Sequence, residues 1–354
     1  MTALPPKVPA AGAAGHARQD LPMSALLAEL LRGEGGGSVI VEEVQPLPGH
    51  AGIGFSFIAD DGASKQKLIV RTIAPDAPSS GPSDVIRQAR IMQSLAGTGV
   101  PVPPILSFGG HDSALGRPYF IAGFVTGNAI PARAVDQTPA HAELARRGVE
   151  VMARLHSVPM AGLEQAWGPV HALSAEFDRL NRLLDRSTID IQWAGRITML
   201  RDRLTSTIPK QVHVGCVHGD MHFGNMIFGP DDVRAVLDWE IAFLGSTLLD
   251  LGALAFYADK DAVLPDHRYR AERWVLSPEG ITEIYRQSAG HAIDDRAILW
   301  HRAMAGYRFA VIALFNEMLH RRGKKHDPLW ADLVRSVPVM VERSLEMLDA
   351  AVPA

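Results

Sequence analysis

The sequence predicts an α+β protein of two lobes: a small N-lobe built on a five-stranded antiparallel sheet with one helix, then a larger, mainly helical C-lobe. Three observations predict it. At 354 residues the chain exceeds what one small core accommodates. Strand-like apolar runs bounded by turn residues dominate residues 38–125, whereas apolar positions later recur at helical spacing. The helical part is interrupted by two short apolar runs, and these carry the densest cluster of polar residues suited to chemistry.

Taken in order, residues 1–20 are rich in Ala, Pro and Gly, which predicts a disordered tail. The N-lobe is expected over 21–125 and the C-lobe over 126–354. Leu26, Leu27, Leu30 and Leu31 after the N-cap Ser24 predict a helix that Gly33 can end, followed by a loop at Gly35–Gly37. Strands follow at Ser38–Val44, Phe55–Ala59 and Lys67–Ile73, the last two joined by a hairpin through Asp60–Ala63. Between the first two, the loop Pro48–Gly54 holds Gly49, Gly52 and Gly54; it is either a phosphate-cradling turn or an ordinary flexible one. Ser83 is the expected cap of a helix reaching Leu95. The proline-rich stretch Val100–Pro104 must be extended, and strands are expected at Ile105–Phe108 and Pro118–Val125.

Beyond the connector at Gly123–Asn128, Thr138-Pro139 opens a helix whose stripe is Leu144, Gly148, Val151, Met152 and Leu155. Phe177, Leu180 and Leu184 mark a second helix, and Ile197, Leu200 and Leu204 a third. Ser277-Pro278-Glu279 starts another, which Gly290 ends. A long helix is expected from Asp294 to Arg322 and a last one from Leu329 to Leu348.

Composition excludes several classes. With 47% hydrophobic and 21% charged residues the chain reads as an ordinary globular protein, and a net charge of −4 leaves no footprint for nucleic acid or an anionic membrane. No run approaches a membrane span and no signal sequence opens the chain, so a cytoplasmic location is expected. The single cysteine, Cys216, permits no intrachain disulfide and lies in an apolar run, where a buried, inert thiol is the simpler reading.

The chemistry concentrates in Cys216-Val217-His218-Gly219-Asp220-Met221-His222-Phe223-Gly224-Asn225 and in Ala235-Val236-Leu237-Asp238-Trp239-Glu240. A strand running into a His-Gly-Asp turn can present Asp220 to a cleft, where it accepts a hydroxyl proton or orients a hydroxyl for in-line attack. Asn225 and Asp238 offer the neutral and anionic oxygens that hard Mg²⁺ prefers. His218 and His222 suit loop orientation better than chemistry. His218, Asp220 and His222 alternate and so could also ligate a transition metal, although the chain supplies no second cluster to complete such a site. If they merely tied a turn together, Asp238 would be left unexplained.

His218-Gly219-Asp220-Met221-His222-Phe223-Gly224-Asn225 closely resembles the catalytic loop of the aminoglycoside phosphotransferase and choline kinase superfamily. Leu237–Glu240 looks like its metal-binding strand end, and Gly245–Leu251 like its following Asp-Leu segment. The resemblance covers most of residues 24–320 and is nearest to the branch that resembles the kinase-like domain of acyl-CoA dehydrogenase fusion proteins. It implies a protein-kinase-like bilobal fold that binds ATP between the lobes and phosphorylates a small hydroxylated molecule. Asp220 would be the base, Asn225 and Asp238 the Mg²⁺ ligands, and Asp250 an anchor of the loop. Adenine would bond to backbone near Ala122–Phe124.

Two departures stand out. Arg71 occupies the place of the usual phosphate-contacting lysine, with Lys67 on the same strand face as a fallback. Arg can still grip phosphate oxygens bidentately. The expected partnering Glu is Gln88, which can hydrogen-bond but supplies no charge, and Asp84 is a substitute one turn earlier. A nucleotide-binding module without efficient transfer is therefore the alternative to a working kinase.

Overall fold

Strand-forming residues build an antiparallel sheet of five strands in the order Ile40–Pro46, Ile53–Asp60, Lys65–Thr72, Tyr119–Gly123, Ile105–Gly109. The computed structural model describes residues 21–32, 38–47, 53–74, 77–131, 133–187, 191–268, 271–324 and 327–351. The expected N-terminal tail, Gly33, the Gly35–Gly37 loop, Gly49 and Gly52 lie outside the described residues. Helix α1 (Met23–Arg32) precedes β1 (Ile40–Pro46), β2 (Ile53–Asp60) and β3 (Lys65–Thr72), and helix α2 (Val85–Leu95) precedes β4 (Ile105–Gly109) and β5 (Tyr119–Gly123). Alternation sets the sheet's two faces: Leu68, Val70 and Thr72 are buried, while Lys67, Ile69 and Arg71 share the other face. Leu27 of α1 packs with Phe57, Leu68, Val70 and Ile121 in one apolar cluster. In the β2–β3 hairpin, Asp60 and Asp61 carboxylates accept the N–H groups of Gly62, Ala63 and Ser64, and Gly62 takes φ +84°.

Ser83 does not cap α2. It ends a 3₁₀ turn, Gly81–Ser83, and the Asp84 carboxylate accepts the Arg87 N–H instead, at 2.9 Å. Pro82 explains the shift, since its fixed φ suits the first turn of the 3₁₀ segment and moves the α-helical start downstream.

Two compact units emerge. One runs to Gln93 and resumes at Pro103–Val125; the other comprises Ser94–Val102 and Thr126–Ala354. The segment 94–102 belongs with the second unit, which satisfies its polar groups. Trp167 Nε1 donates to Ser94 Oγ, Arg154 to the Gly99 carbonyl, and the Val236 N–H to the Pro101 carbonyl.

The second unit holds α3 (Pro139–His156), α4 (Glu164–Trp167), α5 (Leu173–Leu184) and α6 (Ile191–Ser206). Next come β6 (Val214–Val217), β7 (Met226–Phe228), β8 (Val233–Val236) and β9 (Phe243–Ser246), then α7 (Leu248–Tyr257), α8 (Pro278–Ser288) and α9 (Asp295–Arg321). β6 pairs with β9, and β7 with β8. Helix α9 is buried along most of its length because α7 and the C-terminal helix Val337–Ala351 pack against it, with Asp294 capping its start. A Cβ on Gly252 of α7 would lie 2.6 Å from the His301 carbonyl, so this crossing needs glycine.

The expected single last helix is broken into α10 (Leu329–Leu333), a 3₁₀ turn at Val334–Ser336, and α11 (Val337–Ala351). Pro338 is the reason: it cannot donate to an α-helical ladder through this point but fits the first turn of a new helix. Ser336 at the break is fully buried, and its hydroxyl accepts the Leu264 N–H and meets His267 Nδ1.

Candidate active site

Strand β6 delivers the polar loop. Cys216 pairs with Leu244 and Val217 with Phe243, both buried on β6, so the chain is held until pairing stops at His218. Burial pushes the Cys216 thiol up to about 12, which suits an inert thiol rather than a nucleophile. Gly219 then turns with φ +87°, and a Cβ there would stand 2.6 Å from the Ile241 carbonyl oxygen. Only glycine fits both demands.

Asp250, in the first turn of α7 and 1% exposed, holds this turn. Its carboxylate accepts the His218 N–H at 2.7 Å and the Gly219 N–H at 2.8 Å, and lies 3.2 Å from His156 Nε2. His156 Nδ1 is 2.7 Å from the Tyr285 hydroxyl. The tautomer that satisfies every atom has Tyr285 donating to Nδ1 and Nε2–H donating to Asp250. Burial alone would raise the Asp250 pKa; the His156 hydrogen bond, the fields of His156 and His218, and the His218 N–H outweigh it and hold the carboxyl below its ordinary value.

His218 is fully buried and braces two segments. Its Nε2–H donates to the Leu237 carbonyl at 2.8 Å, and its Nδ1 accepts the Asp220 N–H at 3.3 Å. Burial lowers its pKa, so the ring is neutral. With both nitrogens occupied, His218 cannot join a transition-metal site, and no group of three His, Cys, Asp or Glu among the described residues is placed to hold a metal.

The Asp220 carboxylate remains partly exposed. Asn225 Nδ2 lies 3.0 Å from the Asp220 carbonyl oxygen and 3.3 Å from Oδ2. His222 Nδ1 accepts the Gly224 N–H at 3.0 Å, which turns Nε2 to 3.6 Å from Asp220 Oδ2. Burial raises the Asp220 pKa, but His222, His218 and Arg308 together bring it below the ordinary carboxylate value. The group is therefore ionised and ready to accept a proton.

Leu237 ties the second motif to the first: its N–H donates to the Asn225 carbonyl at 2.8 Å while its carbonyl accepts from His218. The next residue, Asp238, takes φ +66°, and its Oδ1 is buried with no hydrogen-bond partner among the described residues. Left-handed backbone costs about 1–2 kcal/mol, and an unsatisfied buried acceptor about 1–3 kcal/mol more. A divalent cation would satisfy that oxygen. Asn225 can contribute its amide oxygen, since its nitrogen faces Asp220, and an anionic plus a neutral oxygen suits Mg²⁺.

Asp220 also forms part of the wall of a cavity of about 380 Å³. Phe309, Ile312, Trp330, Leu333 and Met340 make its apolar sides, and Tyr257, Arg273 and Arg308 contribute polar groups. Arg308 Nη2 donates to the Gly219 carbonyl at 2.8 Å, which links α9 to the loop. Trp274 and Phe309 border this cavity, whereas Trp300 packs in the core at 3% exposure.

In the other unit, Arg71 pairs across the strands with Gly54, and a Cβ on Gly54 would lie 3.2 Å from Arg71 Cδ; glycine makes room for the arginine stem. Gln88 is buried and its amide donates to the Pro82 carbonyl at 2.9 Å. Lys67 Nζ sits 4.2 Å from the centre of the Phe124 ring. The Gly123 and Phe124 N–H groups donate to the Pro104 and Lys67 carbonyls, and Ala122 lies in the paired strand opposite Ile69 and Ile105.

Residues 50–279, more than half of the chain, match the phosphotransferase enzyme family. The chain belongs to that family. ATP- and Mg²⁺-dependent phosphotransferase chemistry is general to that family. Among curated proteins it is similar to acyl-CoA dehydrogenase family member 10 of Mus musculus, 29% identical over 215 residues. That alignment covers 56% of this chain but only 19% of the mouse protein. A Ralstonia eutropha protein, provisionally described as an aminoglycoside phosphotransferase, superposes with a TM-score of 0.74 at 22% identity, covering 93% of this chain and 98% of that one. The aminoglycoside phosphotransferase APH(4)-Ia, solved with AMP-PNP and hygromycin B, superposes with a TM-score of 0.57 at 14% identity, covering 93% and 99%. These likenesses establish the α+β protein-kinase-like fold.

Three functional contributors escaped the sequence reading. His156, Tyr285 and Arg308 lie on three different helices. Only His156 left a trace, as a polar residue four positions after Met152 on an apolar helical stripe.

Proposed function

We propose that this protein transfers the γ-phosphate of Mg-ATP to a hydroxyl of a small molecule seated in the cavity beside Asp220. Asp238 carries the reading: a strained backbone and an orphaned buried carboxylate oxygen, next to a residue clasped to Asn225, fit a Mg²⁺ ligand better than a structural role. Bound there by Asp238 and Asn225, Mg²⁺ would neutralise charge on the transferring phosphate. Asp220 orients the acceptor hydroxyl and takes its proton as the oxygen bonds to the γ-phosphorus and ADP leaves. His218, His222 and Asp250 keep the loop in register. In the other unit, Arg71 and the backbone at Gly52 and Gly54 would contact nucleotide phosphates, with Gln88 steadying Arg71, while Ala122 and Phe124 offer backbone to the base. The Phe124 N–H is engaged by Lys67, so its contribution would come through its carbonyl. The ternary complex of APH(4)-Ia with AMP-PNP and hygromycin B supports a nucleotide and a small molecule bound together on this fold.

Gln88 favours a second reading, a nucleotide-binding module without efficient transfer, because it brings no charge to Arg71. One experiment separates the two. ADP release from Mg-ATP is measured over a panel of alcohols with wild type and Asp220→Asn, and loss of the base should reduce turnover roughly 10²–10⁴-fold. Turnover indifferent to that substitution would sink the kinase reading.

A further inference from the structure

The cavity beside Asp220 has a charged group that the transfer chemistry does not use. Arg273 lines it, and among the described residues the guanidinium has neither a carboxylate partner nor a hydrogen bond. It lies over the face of Tyr257, with the guanidinium carbon 4.8 Å from the ring centre. Tyr257 stands edge-on to His222 at 6.0 Å and against Phe309 at 4.2 Å. The ring is therefore flanked by the base's neighbour, by the unpartnered cation and by the apolar wall. Trp274 and Trp330 extend that wall, and each buried indole N–H has no acceptor among the described residues. A volume of about 380 Å³ lies within the range of small-molecule sites.

Resting on the kinase reading, we infer that the acceptor is an amphipathic alcohol with one carboxylate: its hydroxyl at Asp220, its carboxylate on Arg273, its apolar body against Phe309, Ile312 and Trp330. A polycation is disfavoured at this site. Its ammonium groups would have to lose water against indole and aliphatic walls and approach Arg273 and Arg308, with Asp220 and Glu240 the two acids in the lining. A carboxylate on a guanidinium forms the charge-assisted, bidentate pair that planar donors suit. Transfer balances simply: the alcohol oxygen bonds to the γ-phosphorus, the bond from that phosphorus to the β,γ-bridging oxygen breaks, ADP departs, and the hydroxyl proton passes to Asp220 and then to solvent.

The test reads binding and transfer separately on the full chain. Tryptophan fluorescence and calorimetry follow 4-(hydroxymethyl)benzoate, 6-hydroxyhexanoate and 10-hydroxydecanoate, each beside its uncharged methyl ester, with kanamycin as the polycation. At least one acid should bind wild type better than its ester. Arg273→Gln should abolish that preference with a loss of roughly 10- to 100-fold for the acid, the range expected for one charged hydrogen-bonding partner, and Arg273→Lys should restore part of it. Equal binding of every acid and ester, an acid preference that survives Arg273→Gln, or a preference for kanamycin would overturn the inference. These outcomes need no turnover, so they stand apart from the Asp220→Asn result, which judges the kinase reading itself.

Discussion

Replacing Asp250 with Asn tests how the loop is held, and the geometry sets the size of the effect. The carboxylate receives three donors: the His218 N–H and His156 Nε2–H on Oδ2, and the Gly219 N–H on Oδ1. An Asn amide must put its NH₂ in place of one oxygen. At the Oδ2 position it would face two donors, so the cheaper rotamer puts it at Oδ1, against the Gly219 N–H alone. That sets the Gly219 N–H against the new NH₂, leaving at least one buried donor unsatisfied at about 1–3 kcal/mol, and turns two charged hydrogen bonds into neutral ones, at about 1 kcal/mol each. The sum is roughly 3–5 kcal/mol, the scale of breaking a buried ionic partnership. At about 2–4 °C per kcal/mol for a domain of this size, thermal unfolding should fall by some 6–20 °C. Turnover should fall as well, because Gly219 precedes the proposed base. Denaturant titration and differential scanning calorimetry measure the stability change. A loss below about 1 kcal/mol would refute the reasoning, because it would mean the three bonds are replaceable by solvent or by a neutral amide.

Other outcomes follow from the same network. Asp238→Asn should raise the Mg²⁺ concentration needed for half-maximal turnover by about tenfold or more. The metal-free variant should be no less stable than wild type, since Asn accepts φ +66° and the orphaned carboxylate is gone. Calorimetry with and without Mg²⁺ checks both halves. Arg308→Met removes one of the charges that hold the Asp220 pKa down, so the acid limb of kcat/KM should move to higher pH; a pH–rate profile with unmoved limbs would separate Arg308 from the base. His301, buried on α9 between the Ala297 carbonyl and the Ser246 hydroxyl, is pushed down to about 4 by burial. The unfolded chain takes up a proton near pH 6.5 that the folded one refuses, so stability should decline as pH falls from 6.5 to about 4 and level off below. That difference amounts to roughly 3 kcal/mol. Denaturation midpoints across this window, in wild type and His301→Gln, decide it; a profile as steep in the variant would assign the slope elsewhere.

Features written within a few residues of one another were legible in the chain alone. Period-two alternation around Val70 placed β3, helical spacing from Leu144 to Leu155 placed α3, and the Gly219 turn with Asp220, Asn225 and Asp238 is the pattern on which the phosphoryl-transfer proposal rests. These features are local: side-chain direction, turn propensity and ligand chemistry act over one or two turns of chain. Errors arose where a proline shifted a boundary, at Pro82 before α2 and at Pro338 inside the last helical run. Partnerships across long separations came from the folded chain instead. His156 meets Asp250 over 94 residues and Tyr285 over 129, and Arg308 reaches Gly219 over 89. The Asp238 Oδ1, with no hydrogen-bond partner among the described residues, and the Arg273 guanidinium over Tyr257 likewise owe their surroundings to packing. Helices α7, α8 and α9 pack by apolar faces that many sequences could supply, so nothing local in the chain specifies which polar group each one carries to the loop.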